Sequence, residues 1–178
     1  LTTPAEKVLI QTPVYNIFFN SIVNNGRNIV SSDLVYENGE YHIDWEDLEE
    51  KMSNPQTSLM IVCNPHNPIG KNWTKEELAR IGELARKHGV QVVSDEIHCD
   101  VQNPGCKFTS WFESSEENAN TGIVCNSTSK TFNLAGMHSA SVLIKDPVLR
   151  HKVWRGINTD EVGEPNFFAI DVAIAAYN

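Results

Sequence analysis

The fold is decided by residues 58–96, SLMIVCNPHNPIGKNWTKEELARIGELARKHGVQVVSDE, where two apolar segments enclose an amphipathic one. The segment SLMIVC is apolar without alternation, which is typical of a strand that is covered on both faces of its sheet. Thr74 and Glu77 have the spacing of a capping box, and Gly89 follows the last helical turn, so a helix is predicted between them. VQVVSDE is predicted to be the next strand. Strand, helix and strand in this order indicate an α/β fold whose sheet is mainly parallel.

The same alternation continues on both sides of this unit and predicts three layers, with helices on both faces of the sheet. YENGEYHI, residues 36–43, carries an Asn-Gly turn and predicts a hairpin. ESSEENANTG, residues 113–122, is interpreted as a polar surface loop. The other predicted strands are VLIQT, NIVSSDLV, TGIVCNS and SASVLIK, and the other predicted helices are YNIFFNSIVNNG, WEDLEEKM after Asp44, and a region from about Pro147 to Asn178 that is interrupted near VGEP.

Composition narrows the range of partners. The 178 residues carry a formal net charge of −9, which argues against nucleic acid or an anionic membrane as the main partner. No apolar run approaches the roughly 18 residues that a membrane span needs. The four cysteines form no CxxC pair, so we expect free thiols in a reducing cytoplasm. The chain begins without Met or a signal-peptide pattern, and we expect it to be part of a longer protein.

Three predicted strands end in polar motifs. The first runs into NPHNPIG at residues 64–70, the second ends in Asp95 with His98 shortly after it, and the third leads to Ser127 and Lys130. Each motif alone has an ordinary explanation as a turn, a helix cap or a surface charge. Parallel strands, however, bring their carboxyl ends to one edge of a sheet, where ligands bind in such folds. The three motifs together therefore predict one ligand site.

Together, NPHNPIG, SDEIHCD and STSKTFNLAG resemble the motifs of fold-type I pyridoxal-phosphate (PLP) enzymes, in the class I/II aminotransferase family. TPVYNIFF, residues 12–19, adds a resemblance to the MalY/PatB-like C–S lyases of that family, which are often called cystathionine β-lyases. Residues 1–178 would then be the central part of a PLP-binding large domain, without its N-terminal segment and the C-terminal small domain. The resemblance also implies a homodimer that acts on a small amino acid.

The resemblance assigns the reactive groups. Lys130 would form the Schiff base with PLP and, once released, would remove the α-proton of the substrate. Asp95 would pair with the pyridine nitrogen and keep it protonated. Asn67, the second Asn of NPHNPIG, would donate a hydrogen bond to the phenolic oxygen O3′ of PLP.

The remaining contacts are assigned in the same way. His98 stands where many aminotransferases have a tyrosine that contacts O3′, and Tyr15 would stack on the pyridine ring. Ser127 and Ser129 would donate hydrogen bonds to the 5′-phosphate. His138 occupies the place where many members have a phosphate-binding arginine, which is a departure from the family pattern.

Several functions remain open at this point. The first is a C–S β-lyase that yields a thiol, pyruvate and ammonia, and the second is an aminotransferase with the same lysine and aspartate. A third is a regulatory PLP-binding module without catalysis. His98 and Asp100 also form an HxD pair that could bind non-haem iron with His138 or His151. Such iron sites usually lie in antiparallel double sheets, which disfavours this last possibility.

Overall fold

The computed structural model describes residues 1–178. No helix in it combines the length and the apolar character that crossing a membrane requires. A short 3₁₀ helix lies at Ala135–Met137. The strands are β1 Lys7–Thr12, β2 Asn28–Asp33, β3 Val35–Glu37, β4 Glu40–His42, β5 Thr57–Cys63, β6 Gln91–Asp95, β7 Ile123–Asn126 and β8 Ser141–Ile144, and the helices are α1 Asn16–Asn24, α2 Trp45–Ser53, α3 Lys75–His88, α4 Trp111–Ser114, α5 Glu116–Thr121, α6 Pro147–Thr159 and α7 Ala169–Tyr177.

Six strands form one sheet in the order β2-β1-β5-β6-β7-β8. All neighbours are parallel except β7 and β8, which are antiparallel. The predicted α/β class with a mainly parallel sheet is therefore confirmed. The predicted hairpin is also present as β3 and β4, and its turn residues Asn38 and Gly39 have positive φ angles of 53° and 87°. These angles are those that a tight hairpin turn requires.

Hydrophobic residues pack on both faces of the sheet. Leu9, Met60 and Val62 belong to the larger core cluster, which includes the apolar sides of α2 and α3. Val8 and Ile10 point to the opposite face and pack with α1 in a smaller cluster. Because successive side chains of a strand point to opposite faces, this division confirms the predicted three-layer arrangement.

The helix α3 begins and ends where its sequence predicts. The Thr74 hydroxyl accepts a hydrogen bond from the Glu77 N–H at 3.1 Å, and the Glu77 carboxylate accepts the Thr74 N–H at 2.8 Å. Gly89 then takes a left-handed conformation with φ of 71°. The helix connects β5 to β6, and the direct parallel pairing of these strands places the first two polar motifs side by side at one edge of the sheet.

The interpretation of residues 113–122 as a loop was wrong, because Glu116–Thr121 form the helix α5. Ser115 caps this helix by accepting the Asn118 N–H at 3.0 Å. The Asn118 side chain is fully buried, and its amide donates to the Leu78 carbonyl at 2.9 Å and to the Ser114 hydroxyl at 2.8 Å. The polar composition of this segment suggested exposure to water. The Asn118 amide is instead buried, and its hydrogen bonds are made within the protein.

Candidate functional site

A cavity of about 230 Å³ lies beyond the carboxyl ends of β5, β6 and β7. It is lined by six of the seven residues that the sequence predicts to contact PLP. The seventh, Ser127, does not line it. The residues that line the cavity are Tyr15, Cys63, Asn67, Asp95, Ile97, His98, Ser129, Lys130 and Ala135.

Asp95 is the last residue of β6, and it is partly buried. Burial raises the pKa of Asp95, whereas a hydrogen bond from the Ile97 N–H at 3.2 Å and the charges of His98 and Lys130 act to lower it. A carboxylate in such a position is stabilised by a cation placed against it. The site is therefore suited to a ligand that carries positive charge near Asp95.

Two thiols lie beside Asp95 in the sheet. Cys63 is its register partner on β5, and Cys125 is its register partner on β7. Burial raises the pKa of Cys63 to about 12 and that of Cys125 to about 11, so both thiols are neutral at physiological pH. The sequence analysis did not predict that Cys63, Asp95 and Cys125 lie side by side across the three strands. The signal was available, since both cysteines end an IVC segment that predicts parallel strands next to β6.

Cys63 also shapes the loop that carries Asn67. Its sulfur accepts the Asn67 N–H at 3.3 Å, and its thiol donates to the Pro65 carbonyl at 3.4 Å. The Asn67 side chain makes no hydrogen bond within the protein, although the residue lines the cavity. Its amide is therefore available to a ligand, as the predicted hydrogen bond to O3′ of PLP requires.

Ser127 and Ser129, the two serines near Lys130, are hydrogen-bonded to each other through their side chains. The Ser127 hydroxyl donates to the Ser139 carbonyl at 2.7 Å, and the oxygens of Ser127 and Ser129 are 2.6 Å apart. Because the Ser127 proton is used on the carbonyl, Ser129 is the donor between the two hydroxyls. Ser127 faces a separate cavity of about 440 Å³ between β7, β8 and α7. Of the two serines, only Ser129 lies in the cavity with Lys130.

His138 takes a left-handed conformation with φ of 49° directly after the 3₁₀ helix and does not line the Lys130 cavity. The alternative iron site is not supported by the fold, whose sheet is mostly parallel. No three His, Cys, Asp or Glu side chains converge in a way that could hold a metal ion. The Asp100 carboxylate, which that alternative requires, accepts a hydrogen bond from the Tyr177 hydroxyl at 3.1 Å.

Comparison with known proteins agrees with this fold. The sequence model of the family "Aminotransferase class I and II" matches residues 1–157. The chain belongs to the class I and II aminotransferase family.

Within the family, the chain is 42% identical over 177 residues to cystathionine beta-lyase PatB of Bacillus subtilis, covering 99% of this chain and 46% of that protein. Cystalysin from Treponema denticola, whose crystal structure contains PLP, is 36% identical with a TM-score of 0.85, covering 89% of this chain and 40% of the other. A PLP-bound putative aminotransferase from Clostridium difficile 630 is 37% identical with a TM-score of 0.89, covering 95% and 43%. The resemblance to MalY/PatB-like lyases is thus confirmed. The chain spans about half the length of the curated relatives it matches.

Proposed function

We propose that the protein containing this chain is a PLP-dependent C–S β-lyase, which converts a cysteine thioether or cysteine into a thiol, pyruvate and ammonia. The observation that carries this proposal is the cavity that Lys130 and the partly buried Asp95 line together. An amine and a carboxylate at one cavity are the two groups that PLP chemistry needs from its protein.

The residues of the cavity fit PLP. Asp95 is a partly buried carboxylate of raised pKa that would pair with the protonated pyridine nitrogen. Asn67 has an unused amide, and His98 has a ring nitrogen, for the phenolic oxygen. Tyr15 supplies an aromatic face, and Lys130 supplies the primary amine that reacts with the aldehyde. Ser129 lines the same cavity, and its hydroxyl could bind the phosphate after its proton turns away from Ser127.

When bound, PLP supplies electron withdrawal from the substrate α-carbon. The chain supplies the proton transfers and the charge. The Lys130 amine, when unprotonated, is the base that takes the α-proton. Asp95 remains ionised against the ring nitrogen, because the paired cation offsets the cost of its burial. Cys63 and Cys125 stay protonated and do not compete with Lys130 as nucleophiles.

The lyase assignment is supported by the 42% identity to PatB. The alternative is an aminotransferase. The observation that supports this alternative is the 37% identity to the Clostridium difficile protein, which is described as a putative aminotransferase. Products distinguish the two: a lyase releases pyruvate and thiol from L-cystathionine without a keto-acid acceptor. An aminotransferase forms a new keto acid and requires an acceptor. A protein that binds PLP but converts no amino acid would instead be a regulatory module.

We also propose a cytoplasmic homodimer in which residues 1–178 form the central part of the large domain. Segments outside residues 1–178 would complete the substrate site. Several large apolar side chains of the C-terminal third are exposed, which supports burial against other parts of the assembly. They include Val148, Trp154, Phe167 and Ile170. Sedimentation analysis of the protein that contains this chain should give the mass of a dimer, and a monomer would contradict this part of the proposal.

A further inference from the structure

We propose that His66 is a positioning residue that fastens the loop carrying Tyr15 to the loop carrying Asn67. This inference rests on the proposed function for its effect on PLP, although the contact itself does not depend on that function. His66 directly precedes Asn67, and its side chain reaches the loop that joins β1 to α1. A single imidazole thus connects two walls of the Lys130 cavity.

The connection is a hydrogen bond between the Nε2 atom of His66 and the Pro13 carbonyl at 2.9 Å. Pro13 lies two residues before Tyr15. A carbonyl only accepts hydrogen bonds, so Nε2 must carry the proton. The Nδ1 atom is buried without a partner, and in the neutral ring it holds only a lone pair. The contact therefore requires a proton on Nε2, and the unpartnered Nδ1 favours the neutral tautomer over the cation, whose second N–H would be buried without an acceptor.

The imidazole is held in place from another direction by Trp73. The two rings meet edge to face with their centroids 5.4 Å apart, and the Trp73 indole N–H donates to the Cys63 carbonyl at 3.0 Å. His66 and Trp73 are each only 1% exposed. Burial lowers the pKa of His66 more than the bond to Pro13 raises it, which favours the neutral ring. His66 cannot rotate away without displacing a buried indole.

Few other polar contacts hold the Tyr15 loop, whose Val14 side chain packs on the smaller core cluster. The bond from His66 is the one side-chain hydrogen bond that reaches residues 13–15. Tyr15 is 40% exposed, and its ring meets the Phe18 ring edge to face at 5.9 Å. Its backbone carbonyl accepts only the Phe18 N–H, within the start of α1. We therefore expect the position of Tyr15 in the cavity to depend on His66.

The test compares His66→Phe, which keeps a planar ring without a donor, with His66→Gln, which keeps an N–H donor. His42→Phe, on the exposed strand β4, is the matched control. We expect His66→Phe to weaken PLP affinity about three- to tenfold in an absorbance titration, the effect of one neutral hydrogen bond. His66→Gln should restore part of this loss, and His42→Phe should bind PLP as the wild type does. Without PLP, hydrogen exchange in residues 13–19 should be faster in His66→Phe alone.

A double-mutant cycle distinguishes positioning of Tyr15 by His66 from a general contribution of His66 to the stability of the fold. In a Tyr15→Ala background, the loss of PLP affinity caused by His66→Phe should shrink to less than twofold, since its target is gone. An undiminished loss there would overturn the inference, as would unchanged exchange in residues 13–19. Failure of the wild type to bind PLP would instead refute the proposed function and leave the exchange result to decide on His66.

If His66→Phe does not fold, the wild-type protein still decides. The ¹⁵N chemical shifts of its imidazole should show a neutral ring with the proton on Nε2 at pH 7. The ring should not titrate near pH 6.5, the ordinary value for histidine. A neutral ring with its proton on Nδ1 would contradict the contact with Pro13, because Nε2 would then have no proton to donate. An ordinary titration would contradict the burial of the ring against Trp73.

Discussion

Asp95 and Cys63 are register partners on neighbouring parallel strands, and both line the cavity that contains Lys130. Cys125 flanks Asp95 on the opposite side. The two thiols are neutral and offer the carboxylate no positive charge, and the charges of His98 and Lys130 offset only part of its desolvation, since the pKa of Asp95 is raised overall. The protein without cofactor therefore bears the cost of a buried charge that PLP would offset.

We expect Asp95→Asn to raise the melting temperature of the cofactor-free protein at pH 7. Burial raises the pKa of Asp95, so the folded state disfavours the ionised form. This destabilisation is absent at pH values below the unfolded-state pKa and fully present above the raised folded-state pKa. The difference in melting temperature between the wild type and the Asp95→Asn variant should therefore vanish near pH 3. Thermal unfolding between pH 3 and pH 8 measures it, and a lower melting temperature for the Asn variant at pH 7 would contradict it.

The same Asp95→Asn variant should turn over substrate at least about a hundredfold more slowly, because it loses the charge that, in the proposed function, would keep the pyridine nitrogen protonated. Steady-state assays with PLP bound measure this loss. A rate within threefold of the wild type would show that Asp95 is not the partner of the ring nitrogen. Gain of stability with loss of activity is the combination that the buried carboxylate predicts.

Glu96 is expected to stabilise the fold rather than to act on PLP. Its buried carboxylate accepts the Trp111 N–H at 2.7 Å and the hydroxyls of Ser110 at 2.8 Å and Ser94 at 3.1 Å. Glu96→Ala would leave these donors unpaired and should lower the free energy of unfolding by about 2–4 kcal/mol. Urea unfolding measures the change. A loss below about 0.5 kcal/mol would show that water replaces the carboxylate without cost.

A pair of glycines gives a matched test of packing. A Cβ atom added at Gly82 on α3 would lie 1.8 Å from the Asn118 Oδ1 atom, whereas one added at Gly156 on α6 would meet nothing within 4 Å. The buried Asn118 amide is fixed by its own hydrogen bonds and cannot withdraw. Gly82→Ala should therefore destabilise the protein by about 1–3 kcal/mol. Gly156→Ala should be neutral or stabilise it by up to about 1 kcal/mol, and equal effects would contradict this packing.

The sequence predicted α3 well because its capping residues, apolar stripe and final glycine all agree. It did not predict α5, although Ser115 followed by Glu116 and Glu117 is a local signal for a helix start, because the polar composition of the segment was interpreted as a surface loop. The strand ends predicted that Asn67, Asp95 and Lys130 would meet, since parallel strands share an edge. The role of His66 could not be predicted. It depends on how the Pro13 loop approaches β5, which no local pattern encodes.

The phosphate contacts were the least predictable part of the site. Ser127 and Ser129 are equivalent in sequence, but only Ser129 lines the Lys130 cavity. We expect Ser129→Ala to weaken PLP binding by about 1–3 kcal/mol, the scale of a hydrogen bond to a charged group. His138→Ala should change affinity by less than about 0.5 kcal/mol, since His138 does not line the cavity. PLP titrations measure both, and a larger loss for His138→Ala would contradict the assignment of Ser129.

The most direct test of the central claim is covalent labelling of Lys130 by PLP. The protein that contains this chain is incubated with PLP, reduced with borohydride, digested and analysed by peptide mapping. Lys130 is the one lysine that lines the cavity with Asp95, so the label should appear on the peptide that contains it. Lys130→Ala should abolish this label, while Lys107→Ala should retain it. Labelling of Lys107 or Lys145 in place of Lys130 would contradict the account.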